Sequence, residues 1–151
     1  MSRVLCSVDD SDHALAVARY AAHLAHALDH ELVLLHVAMP TYAPGVSAAP
    51  AGRERLREAE LEGAEMLLAR IALDAGLGDD VRSRAEIGDP AGTIVRVCEE
   101  EDAALVVLGS RGRGSLKAAL LGSVSTAVAS NAPCPCVIVS GAAAERLARE
   151  T

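Results

Sequence analysis

The chain has 151 residues, a net charge of −7 and a hydrophobic content of 51%, enough for one self-sufficient core in a single domain. It has no Phe or Trp and only Tyr20 and Tyr42 as aromatics, which argues against stacking on nucleic-acid bases. The acidic balance also argues against a general DNA-binding surface, and no apolar run approaches the ~20 residues that a membrane-spanning helix requires.

Val4–Val8 is a short apolar run that ends in Asp9, Asp10 and Ser11, and it reads as a buried strand. Residues 11–29 place Leu15, Val17, Ala21, Leu24, Ala25 and Leu28 on one side of a helix, with Asp10 or Ser11 as the expected N-cap. Leu32–Val37 is a second buried strand. The stretch Met39–Gly52 holds Pro40, Pro44, Pro50, Gly45 and Gly52, and its length suits a lid, a binding loop or a disordered segment. Residues 53–75 form a charged amphipathic helix ended by Gly76 and Gly78. Val81–Ile87 alternates, with Arg82, Arg84 and Glu86 on a wetter face. Asp89 then caps a helix with Pro90 in its first turn, and Ile94, Val97 and Cys98 share one side of it. Ala104–Leu108 is a fourth strand, Ser123–Ser130 a fourth helix stopped by Asn131 and Pro133, and Cys136–Val139 a closing strand. This alternation of strand and helix requires right-handed crossovers and a parallel five-stranded α/β sheet. A single domain over residues 1–141 is expected, with residues 142–151 as a tail that is either a short exposed helix or frayed.

In open parallel sheets, ligands collect at the carboxyl ends of the strands, where the strand order reverses. The loop after Leu108 runs Gly109-Ser-Arg-Gly112-Arg-Gly-Ser-Leu-Lys117-Ala-Ala-Leu-Leu-Gly122-Ser123-Val-Ser125. Its glycines let the backbone turn N–H groups toward a ligand, and the helix start at Gly122 and Ser123 favours negative charge. No Asp or Glu occurs between Ala103 and Ala144, so Arg111, Arg113 and Lys117 give that segment +3 while the rest of the chain carries −10. These features converge on a small anion. The competing reading is an ordinary strand-to-helix turn with solvated cations. The glycine order is neither a Walker loop nor the dinucleotide fingerprint, so neither a motor-type NTPase nor a dehydrogenase follows.

Other groups carry less chemistry. His23, His26 and His30 fall on one arc of the first helix, but no carboxylate or cysteine completes a zinc site, and a solvated face is the expectation. His36 lies in an apolar strand without a nucleophile beside it, so no triad is proposed and a hydrogen-bonded strand-end histidine is expected. Cys6, Cys98, Cys134 and Cys136 lack C-x-x-C spacing and suit a reducing cytosol, and Cys134 and Cys136 are expected on opposite faces of the closing strand as structural residues. No signal-like segment opens the chain, and a cytoplasmic location is expected.

The spacing Gly109-x2-Gly112-x9-Gly122-Ser123 resembles the ATP-binding signature of the universal stress protein family. Val4–Ser11 is similar to that family's opening strand and acidic turn, Leu34–Val37 to its second strand and Asn131–Val139 to its closing strand. The resemblance covers about residues 3–140. It implies an adenine-nucleotide-alpha-hydrolase-like, Rossmann-like fold with strand order 3-2-1-4-5 and helices on both faces, and ATP as ligand. It places Asp9 near the adenine and ribose, the main chain of Val37 on the adenine, and Gly109, Gly112, Gly122 and Ser123 on ribose and phosphates. Ser110, Arg111, Val124 and Ser125 are further candidates by position. Mg²⁺, where present, is expected on the nucleotide rather than on Asp9 or Asp10. No general base or arginine-plus-carboxylate arrangement for efficient hydrolysis is visible. The expected function is therefore a non-catalytic, ATP-dependent regulatory or stress-response protein. A nucleotide hydrolase or nucleotidyl-transfer enzyme, and a nucleotide-free dimerisation module, stand as alternatives. A homodimer through Val137–Val139 is expected, because an apolar edge strand leaves backbone groups unpaired.

Overall fold

A computed structural model of the chain describes residues 1–40, 49–79, 81–110 and 121–150. Strand and helix alternate: β1 (Arg3–Ser7), α1 (Ala14–Ala27), β2 (Glu31–Ala38), α2 (Pro50–Asp74), β3 (Arg82–Ile87), α3 (Pro90–Glu100), β4 (Ala103–Gly109), α4 (Ser123–Asn131), β5 (Cys136–Val139) and α5 (Gly141–Glu150). The strands form one parallel sheet in the order β3-β2-β1-β4-β5.

The sheet is covered on both faces, which explains its continuous apolar strands. Successive side chains leave a strand on opposite sides. Val4 and Cys6 of β1 therefore join Leu32, Leu34, Leu105 and Val107 in the core under α1, α2 and α5. Leu5 joins Val33, Leu35, Val106 and Leu108 in the core under α3 and α4. The chain winds outward from β1 through β2 to β3, then returns to the other side of β1 with β4. A crevice opens where that direction reverses, between the ends of β1 and β4.

Several elements differ from the sequence expectation. α1 is shorter than residues 11–29, and neither Asp10 nor Ser11 caps it: the cap position is His13, whose side chain makes no capping bond. Instead, Asp9 Oδ1 accepts from the Ser11 amide at 3.0 Å, so the acidic turn closes ahead of the helix. The buried side of α1 consists of Ala14, Ala16, Val17, Ala18, Ala21 and Ala25, whereas Leu15 and Leu24 are half-buried and Leu28 is 47% exposed. Small side chains let the helix backbone lie close to the sheet, and the leucines are displaced to its flanks. His30 lies beyond the helix, after Asp29 in a left-handed conformation (φ 55°), so the three histidines share no helical arc. Among the described residues no group of three His, Cys, Asp or Glu side chains is placed to hold a metal ion.

α2 begins at Pro50 rather than residue 53, because a first-turn proline has no N–H to leave unpaired. Gly76 follows its end with φ 68°. α3 starts as expected, with the Asp89 carboxylate accepting from Gly92 N–H at 2.9 Å. Residues 141–150 are not a frayed tail: α5 packs on α1, and Ala144 is 1% exposed in the core. Cys134 and Cys136 do not lie on opposite faces but both pack on the core under α3 and α4, alongside Cys98. Cys134 sits in the turn before β5, where strand alternation does not yet apply.

The two sheet edges differ. Along β3, Arg84 pairs with Glu86, Glu100 and Glu101, Arg82 with Glu101, and Arg96 with Glu86. On the other edge, the carbonyls of Pro135 and Val139 accept from Val106 and Ser110 of the β4 side at 3.0 and 2.9 Å. By parallel-strand alternation, the amides of Cys136 and Ile138 then face the open edge. No helix among the described residues is long and apolar enough to cross a membrane.

Candidate functional site

A cavity of about 850 Å³ lies at the carboxyl ends of β1, β2 and β4. Asp9 follows β1, Val37 is next to last in β2, Gly109 ends β4 with Ser110 directly after it, and Gly122, Ser123, Val124 and Ser125 open α4; all eight line the cavity. Arg111 and Gly112 lie outside the described residues, as do Arg113 and Lys117 and the middle of the Met39–Gly52 loop, residues 41–48.

The return from β4 to α4 is fixed by main-chain bonds. Ser110 donates its N–H to Val139 O at 2.9 Å, and its carbonyl accepts from Gly122 N–H at 2.7 Å. Ser125, 3% exposed, donates its hydroxyl to the same Ser110 carbonyl at 2.8 Å, with Gly122 O at 3.1 Å. A hydroxyl has a single hydrogen, so this group pins the loop and keeps only lone pairs for anything else. The arrangement holds the start of α4 beside the end of β4.

α4 has Gly122 at its cap position with no side-chain cap. Its first-turn amides have no carbonyl within the helix to bind, and they carry the positive end of the helix dipole. This is a donor set suited to phosphate oxygens. Across the crevice, Asp9 uses Oδ1 for the Ser11 amide, and Oδ2 has no partner among the described residues. A carboxylate oxygen there accepts from an amino group or hydroxyl. Val37 is 8% exposed and, with Ile94 and Leu108, gives the cavity an apolar floor.

His13, His36, Leu67 and Arg70 also line the cavity and were not singled out as site residues from the sequence. The stripe Gly63, Leu67, Arg70 is the only signal that could have pointed to α2, by its helical spacing. His36 Nδ1 lies 2.7 Å from Val8 O. A carbonyl can only accept, so Nδ1 carries the hydrogen and the bond ties the end of β2 to the end of β1. This is the strand-end role expected for it.

The comparisons with known proteins agree with this architecture. The family model described as Universal stress protein family matches residues 1–140. A universal stress protein of Methanocaldococcus jannaschii is 31% identical over 140 residues, covering 91% of this chain and 81% of that protein. The structure of the universal stress protein UspA from Lactobacillus plantarum superposes with a TM-score of 0.74 at 25% identity, covering 91% of this chain and 96% of that one. Two further matches share the fold and hold nucleotides. One is a universal stress protein in complex with cAMP (TM-score 0.64, 24% identity, 91% and 96% covered), and the other is from Archaeoglobus fulgidus in complex with dAMP (TM-score 0.57, 22% identity, 91% and 97% covered).

Proposed function

The chain belongs to the universal stress protein family, and we propose that it is a non-catalytic regulatory protein that binds ATP between β1 and β4 and works as a homodimer. One observation carries this reading: the uncapped start of α4 is held open beside Gly109, opposite Asp9 and the end of β2. That geometry offers amide donors for phosphate at one end and a carboxylate acceptor with an apolar floor at the other. The cAMP and dAMP bound by relatives of the same fold are both adenine nucleotides, which supports the choice of base. Three phosphates rather than one suit the sequence that joins β4 to α4, where Arg111, Arg113 and Lys117 occur without any acidic residue.

Among the described residues that line the cavity, no hydrogen bond joins a nucleophile to a base, and this supports a reading of binding without efficient turnover. Calorimetry with ATP tests this: saturable binding is expected, weakened at least tenfold, or about 1.4 kcal/mol, in Gly122→Val. Equal binding by Gly122→Val would move the site elsewhere. ATP turnover with Mg²⁺ near ~1 s⁻¹, abolished in Asp9→Asn, would replace the binder with an enzyme.

A further inference from the structure

α2 forms a wall of the cavity on the β2 side. Ala64, Leu68 and Ile71 are its buried residues and seat it on the sheet. Gly63, Leu67 and Arg70 form the neighbouring stripe, at the i, i+4, i+7 spacing of one helix side, and line the cavity. The helix packs on β2 and β3, whereas α4 packs on α3 and β5. The stripe therefore stands across the crevice from the start of α4.

Two features of this stripe have no explanation within the protein. Gly63 lies inside a helix of 25 residues, where glycine is the least favourable residue after proline. A Cβ there would meet nothing within 4 Å beyond its own turn of helix, so packing does not call for the glycine. Arg70 makes no hydrogen bond or ion pair among the described residues, although Asp74 stands one helical turn on. Its neighbour in space, Arg19, is by contrast committed to the Asp74 carbonyl at 2.9 Å.

Resting on the ATP-binding reading of the same cavity, we propose that this stripe holds the face of the adenine ring, with the ring against Gly63 and Leu67 and the Arg70 guanidinium stacked on it. The missing side chain at Gly63 leaves a recess in which a flat ring approaches the helix backbone, and Leu67 supplies apolar contact. A guanidinium is planar and weakly hydrated, and it stacks on the electron-rich face of an aromatic ring. No aromatic side chain takes that role among the described residues, because Tyr20 lies in a separate groove between α1 and α5. The three parts of the nucleotide then meet three different surfaces: phosphates the start of α4, polar groups Asp9, and the base the side of α2. Arg70 and Gly63 are thus residues that select an aromatic base, rather than a phosphate chain alone.

ATP binding to the full chain is measured by calorimetry for the wild type, Arg70→Ala and Gly63→Leu, with urea unfolding of each. Arg70→Ala is expected to weaken binding about fivefold. Gly63→Leu fills the recess and is expected to weaken it at least ~tenfold, while its unfolding midpoint stays at or above that of the wild type. In the wild-type complex, nuclear Overhauser contacts are expected from the adenine ring protons to the Arg70 and Leu67 side chains. If Gly63→Leu does not fold, the exposed Arg70→Ala variant and the Overhauser contacts carry the decision. Unchanged affinity in either variant, or contacts from Arg70 to ribose protons with none to the ring, would overturn the proposal while leaving the ATP site in place. A wild type that does not bind ATP would remove both.

Discussion

Ser125 shows how one hydroxyl can decide the shape of a loop. Its hydrogen goes to the carbonyl of Ser110, the same oxygen that takes the Gly122 amide. Ser125→Ala leaves the buried carbonyl with one donor fewer and should cost about 1–3 kcal/mol in urea unfolding. Nucleotide affinity should fall with it, since the start of α4 loses its tether; unchanged stability would show the pin to be dispensable. Glu101 is the other residue with concentrated consequence. Its side chain is 9% exposed and pairs with Arg3, Arg82 and Arg84. Burial opposes its charge, but hydrogen bonds from Arg84 and Arg82 outweigh that and hold the carboxyl below its ordinary 4.5. Glu86 is held low in the same way by Arg84 and Arg96. A carboxyl with a lowered value in the folded state stabilises fully above the unfolded value and loses that contribution as pH falls through the folded one. Stability should therefore decline as pH drops below 4.5, and Glu101→Gln should remove part of that decline; an unaltered pH profile in this variant would contradict the assignment.

At the scale of elements, the sheet was readable because both of its faces are covered. Val4-Leu5-Cys6 and Leu105–Leu108 are apolar without interruption, and only a strand buried on both sides requires that. α3 was readable from two residues, Asp89 and Pro90, whose chemistry is local. Asp89→Ala should cost about 1 kcal/mol of stability, measured by denaturant unfolding, while a change under a few tenths would mean that the cap is idle. α1 was less legible: Val17, Ala21 and Ala25 of the expected side are buried, but Leu15 and Leu24 are only half-buried and Leu28 is exposed. The sheet instead selected alanines, and which side of a helix approaches a sheet depends on the distance between them, a tertiary quantity. The same limit applies to the site. Asp9, Gly109 and Gly122 announce themselves at strand and helix ends, but His13 and Arg70 reach the cavity only because α1 and α2 converge over β2.

The whole molecule has two unlike edges, and they bear on assembly. β3 is lined with Arg82, Arg84 and Glu86, which disfavour pairing with another strand. β5 is short and apolar, and among the described residues its outward amides at Cys136 and Ile138 have no neighbour strand. The proposed homodimer through β5 would give these groups partners. Light scattering at micromolar concentration should give twice the chain mass, and Ile138→Pro, which removes an outward amide at an edge where proline is tolerated, should give the monomer. A wild-type monomer would remove this interface.

The uncapped start of α4 is the centre of the proposed function, and the most direct test needs no added ligand. Protein purified without nucleotide is denatured, and the released small molecules are identified by mass and quantified against protein. An adenine nucleotide, with ATP foremost, is expected from the wild type and is expected to be absent from Gly122→Val. Release of a different class of molecule, or release of the same nucleotide from Gly122→Val in equal amount, would contradict an ATP site between β1 and β4.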